Sequence, residues 1–560
     1  MQTYSKLPLI RRASQVLFLA AFLFLLFRSE FTGSFRGVTG ETRLPWPVSI
    51  FLEADPLNAL STALATGTLY RGLLWSLVIL IPTFFLGRFF CGWICPLGTL
   101  NHFFGSLRSE KKRGKALIES NRYKPWQAAK YYVLAVVLVA ALFGSLVAGL
   151  VDPISLTVRS LSLSILPAVN YASATLLDVL ADSPWTVVRR AGDVLQLLMA
   201  GTLASFRQPH FRQAAVIGLI FVGLLALNLR VTRFWCRALC PLGALLGVSS
   251  RWSLLHLAKD STRCDQCNLC LVGCQGGDDP IPGPRWRKAE CHLCFNCVGR
   301  CPTSGIAFRF GRPPAPATMM EGPQVQRRKL LTGVAAGAAL VPLLRSTTGL
   351  AVESDSRLIR PPGALDERHF LERCIRCGEC MKVCPNNALH PTLTEAGLEG
   401  LWTPVLVPRV GYCEPNCVLC GTVCPTGAIW EITVAQKLGK PAASQAAADG
   451  EMQPVRIGTA FYDQGRCLPW AMATDCIVCE EWCPTSPKAI YLVETEVTDG
   501  DKATKTVRRP FVDAKRCIGC GACEYACPVK DRPAVYVTSV GETRSKTNQF
   551  ILPPAPPRRA

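Results

Sequence analysis

Cys517, Cys520, Cys523 and Cys527 crowd into one short stretch, and Pro528 follows the last of them. Three thiolates spaced in this way grip one face of a 4Fe–4S cube, and a fourth, sent away by the proline, ligates the other cube of a pair. The pattern recurs at Cys374, Cys377, Cys380 and Cys384 before Pro385, and at Cys291, Cys294, Cys297 and Cys301 before Pro302. Cys264, Cys267, Cys270 and Cys274 keep the spacing, but Gln275 stands where the proline would be. Two runs depart further: Cys413, Cys417, Cys420 and Cys424 have one extra residue in the first gap, and Cys467 lies well upstream of Cys476, Cys479 and Cys483. Both keep the C-x2-C-x3-C-P ending, so both are read as cluster sites. The other four cysteines, Cys91, Cys95, Cys236 and Cys240, form two Cys-x-x-x-Cys-Pro pairs, which accounts for all 28. The chain is expected to hold about six 4Fe–4S clusters.

Zinc is the bland alternative, because Cys-x-x-Cys pairs also bind a tetrahedral ion. Zinc ribbons need two separated pairs, not four cysteines in one loop with a trailing proline. A disulfide framework does not partition this way either. Short apolar stretches follow most of the prolines: 305–308, 427–430, 489–492 and 534–537. They read as small strands that cover a cube and exclude water.

The elements that position these loops begin with a membrane half. At 560 residues the chain exceeds one domain. Residues 13–27, 73–90, 131–150 and 214–229 are continuously apolar and read as four membrane helices. Basic residues collect at matching ends: Lys6, Arg11 and Arg12 before the first, Arg108, Lys111, Lys112, Arg113, Lys115, Arg122, Lys124 and Lys130 between the second and third, and Arg230, Arg233 and Arg237 after the fourth. The positive-inside rule puts these ends in the cytoplasm. They explain part of the net charge of +21 without nucleic acid, for which no stacking platform is present.

The four spans read as two copies of one unit. Asp55-Pro56-Leu57 and Asp152-Pro153-Ile154 follow the first and third spans, and the two cysteine pairs, each followed by Pro-Leu-Gly, end the second and fourth. A pseudo-twofold axis would bring the pairs together at the cytoplasmic surface. Cys91, Cys95, Cys236 and Cys240 could form one four-thiolate metal site, serve as redox thiols, or pack helix ends. The Asp-Pro pairs have the composition of helix starts, Asp as N-cap and Pro in the first turn; a role in holding a quinol headgroup is the rival reading.

Sidedness divides the runs. The first two follow the fourth span directly and make a cytoplasmic dicluster unit, 256–312, with Cys264, Cys267, Cys270 and Cys301 on one cube and Cys291, Cys294, Cys297 and Cys274 on the other. A Gly/Pro-rich linker, 311–323, leads to Arg327-Arg328 and an apolar stretch ending at Leu344. Its 15 or so residues suit an export signal core better than a full span. The chain crosses outward in this 313–350 segment, where Thr348-Gly349-Leu350-Ala351 offers a cleavage site. The four remaining runs form an outer domain, 351–552, paired as neighbours or nested, and a proline-rich tail, 553–560, closes the chain.

The membrane half, 1–255, with its Cys-x-x-x-Cys-Pro-Leu-Gly motifs and adjoining dicluster run, resembles NapH. The second half, with Arg327-Arg328 and four ferredoxin-like runs, resembles NapG and MauM, so the chain looks like a NapH–NapG fusion. The resemblance implies an α-helical membrane domain, an α+β ferredoxin-like dicluster domain inside and a four-cluster ferredoxin-like domain outside a bacterial inner membrane. It implies a quinol dehydrogenase module drawing on the quinone pool and feeding a periplasmic reductase or small electron carrier, notably for nitrate. A maturation or regulatory role, as in proteins resembling CcoG and NosR, is the alternative. No Cys-x-x-Cys-His occurs, and His102, His210, His256, His292, His369 and His390 lack paired spacing within spans, so haem is not expected.

Overall fold

Buried helix starts and continuous apolar faces organise the first half of the chain. The computed structural model describes residues 2–31, 33, 35, 42–107, 114–199, 209–260, 262–280, 286–311, 319–320, 325–354, 357–439, 453–498 and 504–549. Its principal helices are α1 (Gln2–Arg28), α2 (Pro56–Thr66), α3 (Pro96–Ser106), α4 (Ala129–Leu142), α5 (Pro153–Ser160), α6 (Leu166–Ala181), α7 (Ala214–Ala226), α8 (Pro241–Ser249) and α9 (Arg327–Ser354). A π-helical turn, Leu161–Ile165, joins α5 to α6 without a break.

Four helical stretches are long and apolar enough to cross a membrane: Lys6–Arg28, Pro125–Leu142, Pro153–Ala181 and Arg327–Ser346. They differ from the expected four. The stretches expected at 73–90 and 214–229 are shorter apolar helices, Arg71–Leu86 and Ala214–Leu229. The expected 131–150 span stops at Leu142. The helix from Pro153 was missed because Ser155, Thr157, Arg159, Ser160 and Ser162 break its apolar run; all five are buried against the bundle, so its polar face never meets lipid. The stretch expected as a signal core is part of a 28-residue helix, α9, which continues past Leu344; there Arg345 donates to the Phe143 carbonyl at 2.6 Å. The basic residues 108 and 111–113, most of the 311–323 linker, the side chains at 348–351 and the 553–560 tail lie outside the described residues.

Four helices start by one device. Asp55 accepts from Leu57 N–H at 2.8 Å ahead of Pro56, and Asp152 accepts from Ser155 N–H at 2.7 Å ahead of Pro153. Cys95 Sγ accepts from Gly98 N–H at 3.4 Å ahead of Pro96, and Cys240 Sγ from Gly243 N–H at 3.2 Å ahead of Pro241. Each satisfies an orphan amide of the first turn, and proline supplies a preset φ where no N–H is needed.

The bundle has two ends, each carrying cysteine runs. At the start of α4, Lys130 pairs with Glu290 and Tyr131 Oη donates to Glu290 Oε1 at 2.8 Å. Beyond its end, the Leu146 carbonyl accepts from Arg376. Likewise Arg11, early in α1, donates to Gln275 Oε1 at 3.1 Å, while Ser29 after its end accepts from Val48 N–H at 2.8 Å and lies near Glu379. The 18 residues between Arg11 and Ser29 span about 27 Å. Residues 264–301 therefore sit at a near end of the bundle and residues 374–424 at a far end. α9 runs beside α4 from one to the other: Gln326 N–H donates to Tyr132 Oη at 3.2 Å, and Arg345 reaches Phe143.

Two glycines set how closely each flanking unit approaches. A Cβ on Gly92 would lie 2.2 Å from the His292 carbonyl oxygen at the near end, and one on Gly149 would lie 2.0 Å from that of Ile375 at the far end. Only a bare Cα fits at either place.

The cysteine-bearing units are held by short antiparallel pairs: β1 (Leu255–Lys259) with β2 (Ile306–Phe310), β3 (Leu389–Pro391) with β4 (Pro404–Leu406), β5 (Thr459–Tyr462) with β8 (Val535–Thr538), and the hairpin β6 (Ile490–Thr498)–β7 (Thr504–Val512). Three of the expected post-proline strands form. At 427–430 only a single bridge appears, between Ala364 and Ile429.

Candidate functional site

The cysteine loops converge in sets of four. Cys374, Cys377, Cys380 and Cys424 line one cavity, and Cys467, Cys476, Cys479 and Cys527 line another. Cys384 neighbours the thiols of Cys413, Cys417 and Cys420, and Cys483 those of Cys517, Cys520 and Cys523. The last four runs thus pair as neighbours, each exchanging its last cysteine with the next. At the near end, Cys270, Cys274, Cys291, Cys294 and Cys297 share one cavity, and Cys267 neighbours Cys301. Cys264 heads the first loop, its N–H on the Asp260 carbonyl at 3.1 Å.

The loops share a backbone shape that composition would not suggest. In four runs the residues either side of the second cysteine take left-handed φ: Gln266 and Asn268, Leu293 and Phe295, Arg376 and Gly378, Gly519 and Gly521. For Leu and Phe this conformation is strained, and it persists where surrounding structure imposes it. Successive amides in such a turn point into one concavity and favour an anion. The two irregular runs, at Cys413 and Cys476, lack this pairing.

Buried guanidinium groups complete the environment. Arg11 and Arg237 lie near Cys294, and Arg159 lies near Cys377. Arg11 Nε and Nη2, Arg237 Nη1, Arg159 Nε and Arg376 Nε are buried without a protein partner. A buried unpaired donor is costly, and thiolate-bound clusters are the anions that would satisfy these. Among the described residues no three His, Cys, Asp or Glu side chains approach closely enough to hold a single ion. A zinc ion with bonds of about 2.3 Å would require that, whereas a four-iron cube presents its metals at separate corners. The cavities, donors and thiol sets fit 4Fe–4S clusters.

Hydrogen bonds reach some of the sulfurs. Lys437 Nζ donates to Cys413 Sγ at 3.2 Å and to the carbonyls of Glu414 and Cys417 at 2.6 and 2.7 Å. Tyr462 Oη lies 3.2 Å from Cys479 Sγ. The sets also lie next to one another in series. Cys380 neighbours Cys420, Cys413 N–H donates to the Cys520 carbonyl at 2.8 Å, and Cys523 neighbours Cys479. From the bundle outward the order is the Cys374 set, the Cys413 set, the Cys517 set and the Cys467 set.

The two Cys-x-x-x-Cys-Pro pairs meet inside the bundle, all four thiols buried. Cys95 and Cys240 act as helix caps, Cys91 Sγ accepts from Arg88 Nε at 3.3 Å, and Cys236 Sγ lies 3.8 Å from Asn101 Nδ2. The motifs are cross-tied: Arg88 donates to the Cys236 carbonyl at 3.0 Å, and Arg233 to the Cys91 carbonyl at 2.9 Å. Arg88 was not singled out from sequence, though each first cysteine is preceded at three residues by arginine. Asp55 and Asp152 likewise lie near each other. Both carboxylates cap helices, which is the plainer of the two roles considered for them.

Comparison with known proteins places this geometry. The 4Fe-4S binding domain family matches at 68–115 and again at 213–259, which contain the two cysteine-proline pairs, and related 4Fe-4S binding domain families match 369–390 and 508–529. The ferredoxin-type protein NapG of Escherichia coli (strain K12) is 32% identical over 223 residues, 38% of this chain and 86% of that protein. The chain belongs to the NapG/MauM family of ferredoxin-type proteins. The methylamine utilization ferredoxin-type protein MauM of Methylorubrum extorquens is 35% identical over 215 residues, 36% of this chain and 84% of that protein. The putative electron transport protein YccM of Escherichia coli (strain K12) is 25% identical over 314 residues, 54% of this chain and 76% of that protein. No solved structure matches. NapG/MauM relatives cover part of the chain, and its chemistry is iron–sulfur electron transfer, carried beside apolar helices able to span a membrane.

Proposed function

We propose that this protein oxidises membrane quinol and delivers the electrons through its far-end cysteine sets to a soluble periplasmic acceptor, such as a reductase. The observation that carries the reading is the series of adjacent cysteine sets leading away from the far end of the helix bundle. In this reading the bundle, 1–255, lies in the bacterial inner membrane, 256–312 is cytoplasmic, 313–350 is the crossing segment and 351–552 is periplasmic. The lysines and arginines at 6, 11, 12, 230, 233 and 237 collect at the near end, which supports a cytoplasmic near end under the positive-inside rule. The two cysteine-proline units, with their reciprocal arginine ties, support a NapH-like membrane half with an internal repeat.

The 24 cysteines of the six runs would hold the clusters, in the sets described above. Bound there, 4Fe–4S clusters supply one-electron acceptor and donor sites spaced along the protein. The chain's own residues do the rest. Arg159 and Arg376 bring positive charge to the first far-end set, β3–β4 and β5–β8 exclude water, and Lys437 and Tyr462 set sulfur electron density by hydrogen bonding. Transfer from a negative interior to a positive exterior is favoured by roughly 2.3 kcal/mol per 100 mV.

The test mixes purified, cluster-loaded protein with a reduced quinol analogue and follows bleaching of the cluster absorbance. Rapid bleaching is expected. No bleaching, together with a copper-enzyme defect in a deletion strain, would replace this reading with a maturation role.

A further inference from the structure

We propose that the quinol site is the cavity between the far end of the helix bundle and the loops carrying Cys384 and Cys413, an assignment that rests on the quinol-oxidation reading above. The cavity has a volume of about 420 Å³, within the range of pockets that bury small organic ligands. Phe27, Phe31, Leu166 and Pro167 form its membrane-side wall, which suits an isoprenoid tail entering from lipid. Tyr412, Trp482 and Tyr525 form the opposite wall, with ring centroids 5.4–5.9 Å apart. Tyr412 and Trp482 each immediately precede a cysteine, Cys413 and Cys483, and Cys384 itself lines the cavity.

Two polar atoms on the cavity's lining residues call for a particular ligand. Lys382 Nζ and Asn387 Oδ1 are buried, and neither has a hydrogen-bond partner. The Asn387 amide is oriented by its Nδ2, which donates to the His210 carbonyl at 2.7 Å, so its oxygen is the free acceptor. Glu379 and Glu30 lie near Lys382 and offset part of its charge, but a buried donor and a buried acceptor without hydrogen bonds on one small pocket are costly. A hydroquinone answers both: one hydroxyl donates to Asn387 and an oxygen accepts from Lys382, while the flat ring lies against the aromatic wall.

The step balances. Two O–H bonds of the hydroquinone break, two protons leave to water past the exposed Glu30, and two electrons pass singly to oxidised iron–sulfur clusters on neighbouring cysteine sets, leaving quinone.

The test uses the full, cluster-loaded chain in lipid nanodiscs, with decylubiquinone for equilibrium binding and decylubiquinol for reduction. Lys382→Met and Asn387→Leu should each weaken binding about ten- to hundred-fold, with cluster absorbance intact, and Lys382→Arg should restore most of the affinity. Leu166→Trp, on the helical wall and outside the cysteine-bearing loops, should block binding by filling the cavity, and serves as an independent arm if the loop variants lose clusters. Unchanged binding and half-saturation in Leu166→Trp and the polar variants would overturn the site while leaving quinol oxidation standing. Wild-type protein that neither binds decylubiquinone nor is reduced by decylubiquinol would overturn both.

Discussion

Single side chains differentiate otherwise similar cysteine sets. Lys437 donates to Cys413 Sγ and is buried, so its charge acts across a poorly screened distance. Lys437→Met should lower the midpoint potential of the Cys413 set by on the order of tens of millivolts, because hydrogen bonds and charge at sulfur favour the reduced state. Potentiometric titration followed by electron paramagnetic resonance reads this directly, and Tyr462→Phe should shift the Cys467 set in the same direction by less. The cysteines were legible because their spacing is itself the coordination pattern. Lys437 was not, because nothing in a lone lysine 13 residues past Cys424 announces that a helix folds it back. The left-handed pairs such as Leu293 and Phe295 were equally hidden, since neither residue type favours that backbone.

Helix starts and close approaches govern the elements. Asp152→Asn keeps an acceptor for Ser155 N–H and should cost little, whereas Asp152→Leu leaves that amide unpaired and should destabilise by about 1–2 kcal/mol, measured as a loss of thermal stability in detergent. Gly149→Ala places a methyl against the Ile375 carbonyl and should loosen the far-end unit, seen as faster limited proteolysis after residue 354; Gly223→Ala, with nothing within 4 Å, is the neutral control. The Asp-Pro and Cys-Pro starts were readable from composition. The helix from Pro153 was not, because a hydropathy reading counts Arg159 and its neighbouring serines as solvent-facing, and burial reverses their meaning. Neighbour pairing of the last four runs was also beyond spacing alone, since either arrangement satisfies the same loops.

At the scale of the whole molecule, the carboxy-terminal segment is tied back by charge. Burial opposes ionisation of Glu367, but Arg360 at 3.1 Å and Arg544 at 2.9 Å outweigh it and hold its carboxyl at about 2 instead of the ordinary 4.5. A depressed folded value means the contribution is complete above about pH 4.5 and is lost as pH falls towards 2. Acid should therefore release the 541–549 segment. In Glu367→Gln that release should already be present at neutral pH, at a cost of about 3 kcal/mol, read by hydrogen exchange of its amides. Metal analysis of the intact chain should return about 24 iron atoms with matching acid-labile sulfide, four for each of six sets.

The near-end and far-end units belong to one polypeptide, and helix α9 between them lies along α4. Two separately encoded subunits would have to find each other, and their throughput would fall on dilution. Here the far-end unit is held at an effective concentration set by the chain rather than by expression level, so turnover per molecule should be the same in a sparsely populated bilayer as in a crowded one.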